Sequence, residues 1–437
     1  MRILIVGGGG REHALLWALH RDAPDGTFFC LPGNAGTAKL ATNIPGSSSD
    51  VEAVTAAAKE RRIDLVVVGP EAPLAAGLTD RLAREGIPTF GPSAAAARIE
   101  SSKAFAKELM IKAGIPTAGF RTFTALPQAL QYIGDHPEPL VIKASGLAGG
   151  KGAVVCQTRT EARIAATAMM RGDSLGQAGA EILVEEFLPG EELSVLAITD
   201  GEHFAVLPPA QDHKRIGDGD TGPNTGGMGA YCPVSLATDE LLERVASEVF
   251  RPTLKALADA GAHYKGILYA GLMLRESDQA LSVIEFNCRF GDPEAQAILA
   301  ATPAGLLPVL RMVAEGGWMP EGLRMGEAKK AAVTTVLAAE GYPNAPKTGA
   351  EIRIPRGLES ATDVLVFHAG TSQDQDGKLR VSGGRVLSVT ATGPDIVAAA
   401  ARSREAAEAI DFEGKQFRRD IGWREINRQS AIGNRQS

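Results

Sequence analysis

The sequence predicts an α/β protein of several domains, and three observations carry that prediction. Over roughly the first 100 residues, short apolar strands alternate with helical patterns, as a parallel sheet requires. Between residues 120 and 200, two strand-like runs flank a glycine-rich loop. Past residue 330, strands follow one another with Asp376-Gly377 and Gly383-Gly384 turns beside them, a hairpin signal.

Each element has its own reason. Ile3–Val6 is a short apolar strand that runs into four glycines, and Glu12–Leu19 follows as a helix with Leu15, Leu16 and Leu19 on one face. Thr27–Leu31 and Leu65–Val68 are further strands, and Val51–Arg61 and Leu74–Glu85 further helices, before Thr89-Phe90. Ser101 or Ser102 can cap a helix showing Phe105, Leu109 and Met110, which stops at Gly114 before Pro116. Leu140–Lys143 and Ile182–Glu186 are strands, and 203–232 is a long polar loop region. A helix near 238–260 precedes strands at Ile267–Leu274 and Leu281–Asn287. The stretch Glu315–Glu327, with Gly316, Gly317, Pro320, Gly322 and Gly326, marks a domain boundary. Ala331–Ala338, Val364–His368, Lys378–Val381 and Arg385–Thr390 are strands, and a last helix spans about 394–410. No internal repeat is evident, and the polar tail after Glu425 is expected to fray.

Composition excludes several classes. With 437 residues, 44% hydrophobic and 22% charged, the chain matches neither disordered nor fibrous proteins, and its length suggests about three domains. Glycine is abundant at 50 residues, which points to tight turns and sites lined by backbone. The net charge of −7 argues against a nucleic-acid partner but not against a small anionic substrate. The N-terminal apolar run is too short for a signal peptide, and no stretch approaches the ~18 apolar residues of a membrane span. Cys30, Cys156, Cys232 and Cys288 form no CxxC pair, so a reduced, cytoplasmic compartment is expected.

Five segments carry chemistry. Gly7-Gly8-Gly9-Gly10-Arg11-Glu12-His13 joins a strand to a helix, where backbone N–H groups can close on a phosphate. As a dinucleotide fingerprint it fails, because Glu12 holds the third glycine position and 28–32 offers no acidic residue for a ribose. A tight turn without a ligand is the other reading. Lys143 to Gly152, including Gly149, Gly150 and Lys151, is no Walker A loop, yet a Gly/Lys loop between strands can fold over a triphosphate; a solvated hairpin is the alternative. Glu185-Glu186-Phe187-Leu188, followed by Glu191-Glu192, supplies an apolar slot and carboxylates of the kind a nucleoside needs, and equally suits a solvated hairpin.

The fourth segment runs from Val283 to Glu294. Glu285 and Asn287, two apart on a strand, share a face and present hard oxygen ligands for Mg²⁺, while Ile284 and Phe286 are expected to face the core. Arg289, at the strand end, can hold a carboxylate or phosphate with two hydrogen bonds. The fifth, 211–229, sets Asp212, Lys214 and Arg215 in a long glycine loop of the kind that carries function. His213 could be a general base, though a structural histidine fits better.

Together GGGGREHA, PGNAGTA at 32–38, VGPEAPL at 68–74, FGPS at 90–93, QDHKRIGDGDTGPNTGGMGAY at 211–231, YAGLM at 269–273, IEFNCRFGDPEAQ at 284–296 and RRDIGWR at 418–424 resemble the phosphoribosylamine–glycine ligase (glycinamide ribonucleotide synthetase) family across nearly the whole chain. The resemblance implies an ATP-grasp ligase with a Rossmann-like N-terminal domain (1–102), a two-lobed ATP-grasp core (103–315, small lobe about 120–192) and a small C-terminal domain with antiparallel strands (327–437). It implies the ATP-dependent joining of phosphoribosylamine and glycine through a glycyl phosphate, in de novo purine synthesis.

By the same resemblance, Glu185, Glu186, Phe187 and Leu188 would contact adenine and Glu192 the ribose, with Lys103, Lys143, Gly149, Gly150, Lys151 and Gly152 around the phosphates. Glu285 and Asn287 would hold Mg²⁺ or Mn²⁺. Phosphoribosylamine would sit among Gly9, Gly10, Glu71 and the 212–214 segment, with Asp292 nearby, and glycine beside Asp212 and Arg289. Arg289, Lys214 and Asp212 are the expected catalytic residues. The partners expected are these small molecules, with no nucleic acid, no membrane and a monomeric state. Ser145 stands where the family usually has Asp, Gly149 where it has Ala, and Ser101 where it has Gly. The strand before the metal Glu reads Gly271-Leu272-Met273, so the ion would rely on two protein ligands, phosphates and water. Another ATP-grasp carboxylate–amine ligase, a non-catalytic nucleotide sensor and a dinucleotide oxidoreductase are the competing readings.

Overall fold

The computed structural model describes every residue except 173–174, 276, 324, 326–327 and 437. A five-stranded parallel sheet forms the N-terminal body, in the order 42–43, 27–32, 2–7, 65–68, 89–90. Ile3 to Val6 occupy its centre and are wholly buried, which is why that run is continuously apolar. The helix expected over 74–85 is two, Glu71–Ala75 and Leu78–Arg84, parted at Gly77. The capping serine also resolves. Ala94–Ser101 is a separate helix, and Ser102 caps Lys103–Ala113, its Oγ accepting from Phe105 N–H at 3.2 Å.

The central region holds two four-stranded antiparallel sheets. In one, strands 120–123, 182–186, 140–144 and 153–156 lie side by side, with Leu126–Asp135 and Arg159–Met170 packed through Ala129, Ile133, Ala162 and Ala166. The glycine-rich loop joins its last two strands. The other orders 204–206, 191–199, 266–274 and 281–287. Here a register shift opposite Gly271/Leu272 pairs Gly271 with Glu285 but Leu272 with Val283. Ile284 therefore leaves the core that was expected for it. Val283 and Phe286 are buried, and Ile284 is half-buried at the cleft.

The stretch 203–232 is not a loop. Gln211–Asp212 and Gly229–Cys232 are strands of a five-stranded antiparallel sheet otherwise built from 331–338, 385–393 and 364–368. Tyr231 faces Val333 across a separation of about 100 residues, a pairing that no local pattern reveals. The helix near 238–260 contains a π-helical turn at Val245–Phe250 just before Pro252, which has no N–H to donate. The polar tail is helical over Trp423–Gln436, and buried Glu425 ties it down by accepting from Ser235 Oγ at 3.0 Å and Arg428 Nη1 at 2.8 Å. Gly326 and Glu327, the end of the expected boundary stretch, lie outside the described residues. No single helix among the described residues is long and apolar enough to cross a membrane.

Candidate active site

The three bodies meet at a cleft of about 430 Å³. Its floor is the strand 281–287, which delivers Glu285 and Asn287 side by side. No protein hydrogen bond to the Glu285 carboxylate is found among the described residues. Burial would raise its pKa, but Lys214, Lys103, Lys143 and Arg289 outweigh that and hold it below the ordinary value. An anionic, uncommitted carboxylate ringed by four cations is prepared for a cation of its own and for the anion those side chains would attract. Asn287 Oδ1 accepts from Arg289 Nη2 at 3.0 Å. Arg289 is itself held by Glu71 (3.2 Å) and by Glu100 (2.9 Å), so its fork arrives already oriented. Glu100 is 7% exposed, and burial pushes its pKa up in spite of Arg289; its carboxylate also accepts from Cys288 N–H at 2.7 Å.

On the small-sheet side, Lys143 Nζ lies 2.9 Å and Lys107 Nζ 3.1 Å from Glu185 Oε2, all three side chains being buried. Lys143 also donates to the Ile284 carbonyl at 3.0 Å, which joins this lobe to the floor. Glu185 Oε1 is buried without a partner. Glu186 accepts from Gly119 N–H at 2.8 Å, and Phe187 is 37% exposed at the rim beside Leu188. Lys103 lines the cleft and reaches the Gly146 carbonyl at 3.4 Å; burial lowers its pKa. Gly149, Gly150 and Gly152 line the same space, whereas Lys151 is exposed and not among the lining residues.

Asp212 and Lys214 enter from the strand and turn at 211–214. Lys214 pairs with Glu192, and Glu192, Asp212 and Glu285 raise its pKa well above the ordinary value despite burial. Asp212 moves the other way: burial first, then Glu294 and Glu192, push it up to about 7, with Lys214 opposing. His213, on the opposite face, is 1% exposed and accepts from Gly422 N–H at 3.3 Å. Its pKa falls to about 3, mainly through burial and then Arg418 and Arg424, so it is a neutral structural ring. The RRDIGWR segment serves the same end: Arg418 pairs with Asp220 and Asp420 at 2.7 Å and clamps the 215–224 hairpin.

The N-terminal glycine turn is occupied by its own neighbour. Glu12 is 2% exposed, accepts from Gly9 N–H at 2.6 Å and pairs with Arg11 at 2.7 Å. A Cβ on Gly69 would lie 2.1 Å from Glu12 Oε1, so that glycine exists to admit the carboxylate. Neither Gly9 nor Gly10 is among the residues lining the cleft, and a Cβ on Gly10 would meet Gln296 Nε2 at 2.7 Å. Glu71 and Asp292 do line it. Asp292 is held by Arg385 at 3.1 Å and Gln296 at 2.8 Å, and Arg385 with Arg11 keeps its pKa low against burial.

Sequence reasoning missed four contributors: Lys107, Glu100, Glu294 and Arg385. Lys107 sits on a helix whose apolar face drew attention, and a charge inside that face was the available signal; Glu100 sits on Ala94–Ser101, a helix the sequence reading did not separate. Glu294, hydrogen-bonded to Tyr269 at 2.7 Å, lay within a motif already noted. Arg385 carried no local signal.

Matches to known proteins cover the chain. Residues 1–100 match the model for the phosphoribosylglycinamide synthetase N domain, 101–295 its ATP-grasp (A) domain and 332–424 its C domain. The phosphoribosylamine–glycine ligase of Brucella melitensis is 46% identical over 431 residues, covering 99% of this chain and 100% of that protein. That of Salmonella typhimurium is 44% identical over 432 residues, covering 98% and 100%. The crystal structure of the Thermotoga maritima phosphoribosylamine–glycine ligase superposes with a TM-score of 0.84 at 36% identity, covering 96% of this chain and all of that one. The biotin carboxylase domain of Hydrogenobacter thermophilus 2-oxoglutarate carboxylase, determined with MgADP, ADP and bicarbonate, gives 0.72 at 18% identity over 95% of this chain and 91% of that one, a likeness of fold alone.

Proposed function

The chain belongs to the phosphoribosylglycinamide synthetase family, and from that premise we infer that it joins 5-phosphoribosylamine and glycine, using ATP, to give glycinamide ribonucleotide, ADP and phosphate. This is the second step of de novo purine synthesis. It is an α/β ATP-grasp ligase. The observation that carries the reading is Glu285 kept anionic among Lys103, Lys143, Lys214 and Arg289.

The chemistry follows from the poor electrophilicity of a carboxylate. Phosphoryl transfer from ATP converts glycine to glycyl phosphate, and the amine of phosphoribosylamine then displaces phosphate from the acyl carbon. Positioning and charge neutralisation dominate such a transfer. Lys103 and Lys143 face the triphosphate from the small-lobe side, with Lys143 anchored by Glu185 and the Ile284 carbonyl. Glu185 to Leu188 and Glu192 form the nucleoside end. Glu285 and Asn287 would hold the divalent ion, Mg²⁺ or Mn²⁺; bound there, the ion supplies charge neutralisation for the phosphates. Among the described residues no group of three or more His, Cys, Asp or Glu could hold a metal ion. Arg289, pre-oriented by Glu71 and Glu100, holds the glycine carboxylate. Asp212, with a pKa near 7, is suited to take the proton the amine releases on attack. The phosphoribosyl end lies toward Glu71, Asp292 and Lys214. The division at 1–102, 103–315 and 327–437, the monomeric state and the cytoplasmic location belong to the same reading.

A coupled assay for ADP with freshly generated phosphoribosylamine, omitting each substrate in turn, tests it. ADP formation must require glycine; ADP released at the same rate without glycine would overturn the assignment.

A further inference from the structure

Gly226, at the cleft rim, is gripped from two sides by the C-terminal body. Its N–H donates to Tyr342 Oη at 3.0 Å, and its carbonyl accepts from Arg385 Nη1. Arg385 Nη1 also donates to the Asp292 carbonyl at 2.7 Å, while Nη2 pairs with the Asp292 carboxylate at 3.1 Å. The grip leaves no slack: a Cβ on Gly226 would lie 3.3 Å from both Arg385 Cζ and Tyr342 Oη. The Tyr342 ring rests on Gly384, next to Arg385, where a Cβ would come within 2.5 Å of Cδ2. On the other side of Gly226 is the glycine-rich loop, since a Cβ on Gly150 would lie 3.4 Å from Gly226 Cα. Gly150 has φ +79°, so its close approach combines missing side-chain bulk with a backbone that other residues rarely adopt.

We propose that Arg385 and Tyr342 are positioning residues that hold the Gly226 peptide as the seat for the glycine-rich loop 146–152, and so couple the acceptor side of the cleft to enclosure of the nucleotide phosphates. The proposal rests on the ligase reading above. A rigid seat keeps the loop over the acyl phosphate and excludes water until the amine attacks. With the seat loosened, glycyl phosphate is hydrolysed: water replaces the amine at the acyl carbon, and glycine and phosphate are returned with ADP already formed.

The test measures ADP and glycinamide ribonucleotide separately for the full chain and for Arg385→Gln, Tyr342→Phe and the double variant. Tyr342→Phe keeps the ring on Gly384 and removes only the hydrogen bond, so it reports on the seat even where Arg385→Gln folds poorly. Each single variant should raise the ADP-to-product ratio by roughly 3- to 10-fold, the scale of one lost hydrogen bond, and raise KM for ATP with KM for glycine unmoved. Because both side chains hold one peptide, the double variant should be no worse than the poorer single. A wild-type ratio in Tyr342→Phe, or effects that multiply in the double variant, would overturn the proposal. Failure of the ligase reading looks different: the unmodified chain would then form ADP without glycine.

Discussion

Lys143 Nζ and Glu185 Oε2 stand 2.9 Å apart with both side chains nearly excluded from solvent, and the same lysine donates to the Ile284 carbonyl beside Glu285. The lysine of this buried ion pair therefore ties the sheet of 140–144 and 182–186 to the strand that bears Glu285 and Asn287. Lys107 shares that carboxylate, and burial lowers its pKa to about 8 although Glu185 pulls it up. Glu185→Gln strands two buried ammonium groups and should cost about 3–5 kcal/mol in denaturant unfolding. A loss under about 1 kcal/mol would show that the lysines do not depend on Glu185.

Glu285→Gln separates activity from folding. The carboxylate has no hydrogen-bonded protein partner among the described residues but is held anionic by four cations, so the thermal midpoint should fall somewhat, and activity is read well below it. In the proposed reaction its charge holds the divalent ion, so glycine-dependent ADP formation should fall by at least about 100-fold. ADP formation within a few-fold of the unmodified chain would remove Glu285 from the site.

Asp212 imposes a pH dependence. Its carboxyl is raised from 3.8 to about 7 in the folded state, so the folded chain binds that proton more tightly than the unfolded chain. The stability associated with the proton is present at low pH and is lost as pH rises from 3.8 toward 7. In the proposed reaction the direction reverses, since Asp212 would accept the amine's proton as the carboxylate. The kcat/KM profile should rise through pH 7 in the unmodified enzyme, and Asp212→Asn should abolish that limb. A limb that survives the substitution belongs to another group.

The buried histidines act at lower pH. His213 and His13 both fall from 6.5 to about 3, chiefly because burial disfavours the imidazolium. Between those values the unfolded chain binds more protons, so stability is lost as pH falls from 6.5 toward 3. Each contributes on the order of 5 kcal/mol across that window. His213→Gln should flatten this part of the stability–pH curve; an unchanged slope would show that the ring is solvated.

Ser145 has a specific task. Its Oγ accepts from Ala104 N–H at 3.2 Å and its carbonyl accepts from Lys103 N–H at 2.8 Å, at the first turn of the helix that carries Lys103 and Lys107. Ser145→Ala should cost about 1 kcal/mol, and Ser145→Asp should retain or improve stability because a carboxylate at a helix N-terminus is favoured. If Ser145→Asp is the less stable of the two, the contact is not a cap.

The elements legible in the sequence were those with dense local patterns. Ile3–Val6 and Leu65–Val68 are buried on both faces and read as unbroken apolar runs. Glu285 and Asn287 were legible because a strand puts alternate residues on one face, and Gly149 and Gly150 because glycines between strands mark a backbone-lined loop. Ile284 was misread because the register shift opposite Gly271/Leu272 interrupts that alternation. Lys151 was grouped with the loop by adjacency, yet it points into solvent.

By itself the sequence determined the parallel N-terminal sheet, the placing of Glu285 and Asn287 together at the cleft and the family likeness, because each depends on residues close together in the chain. Tertiary structure alone decided which charges converge. Arg385 reaches Asp292 across 93 positions and Arg289 meets Glu71 across 218, contacts set by how sheets stack rather than by any local periodicity. It also decided the protonation of Asp212 and His213, since burial and neighbouring charge, not residue type, fix which form is stable.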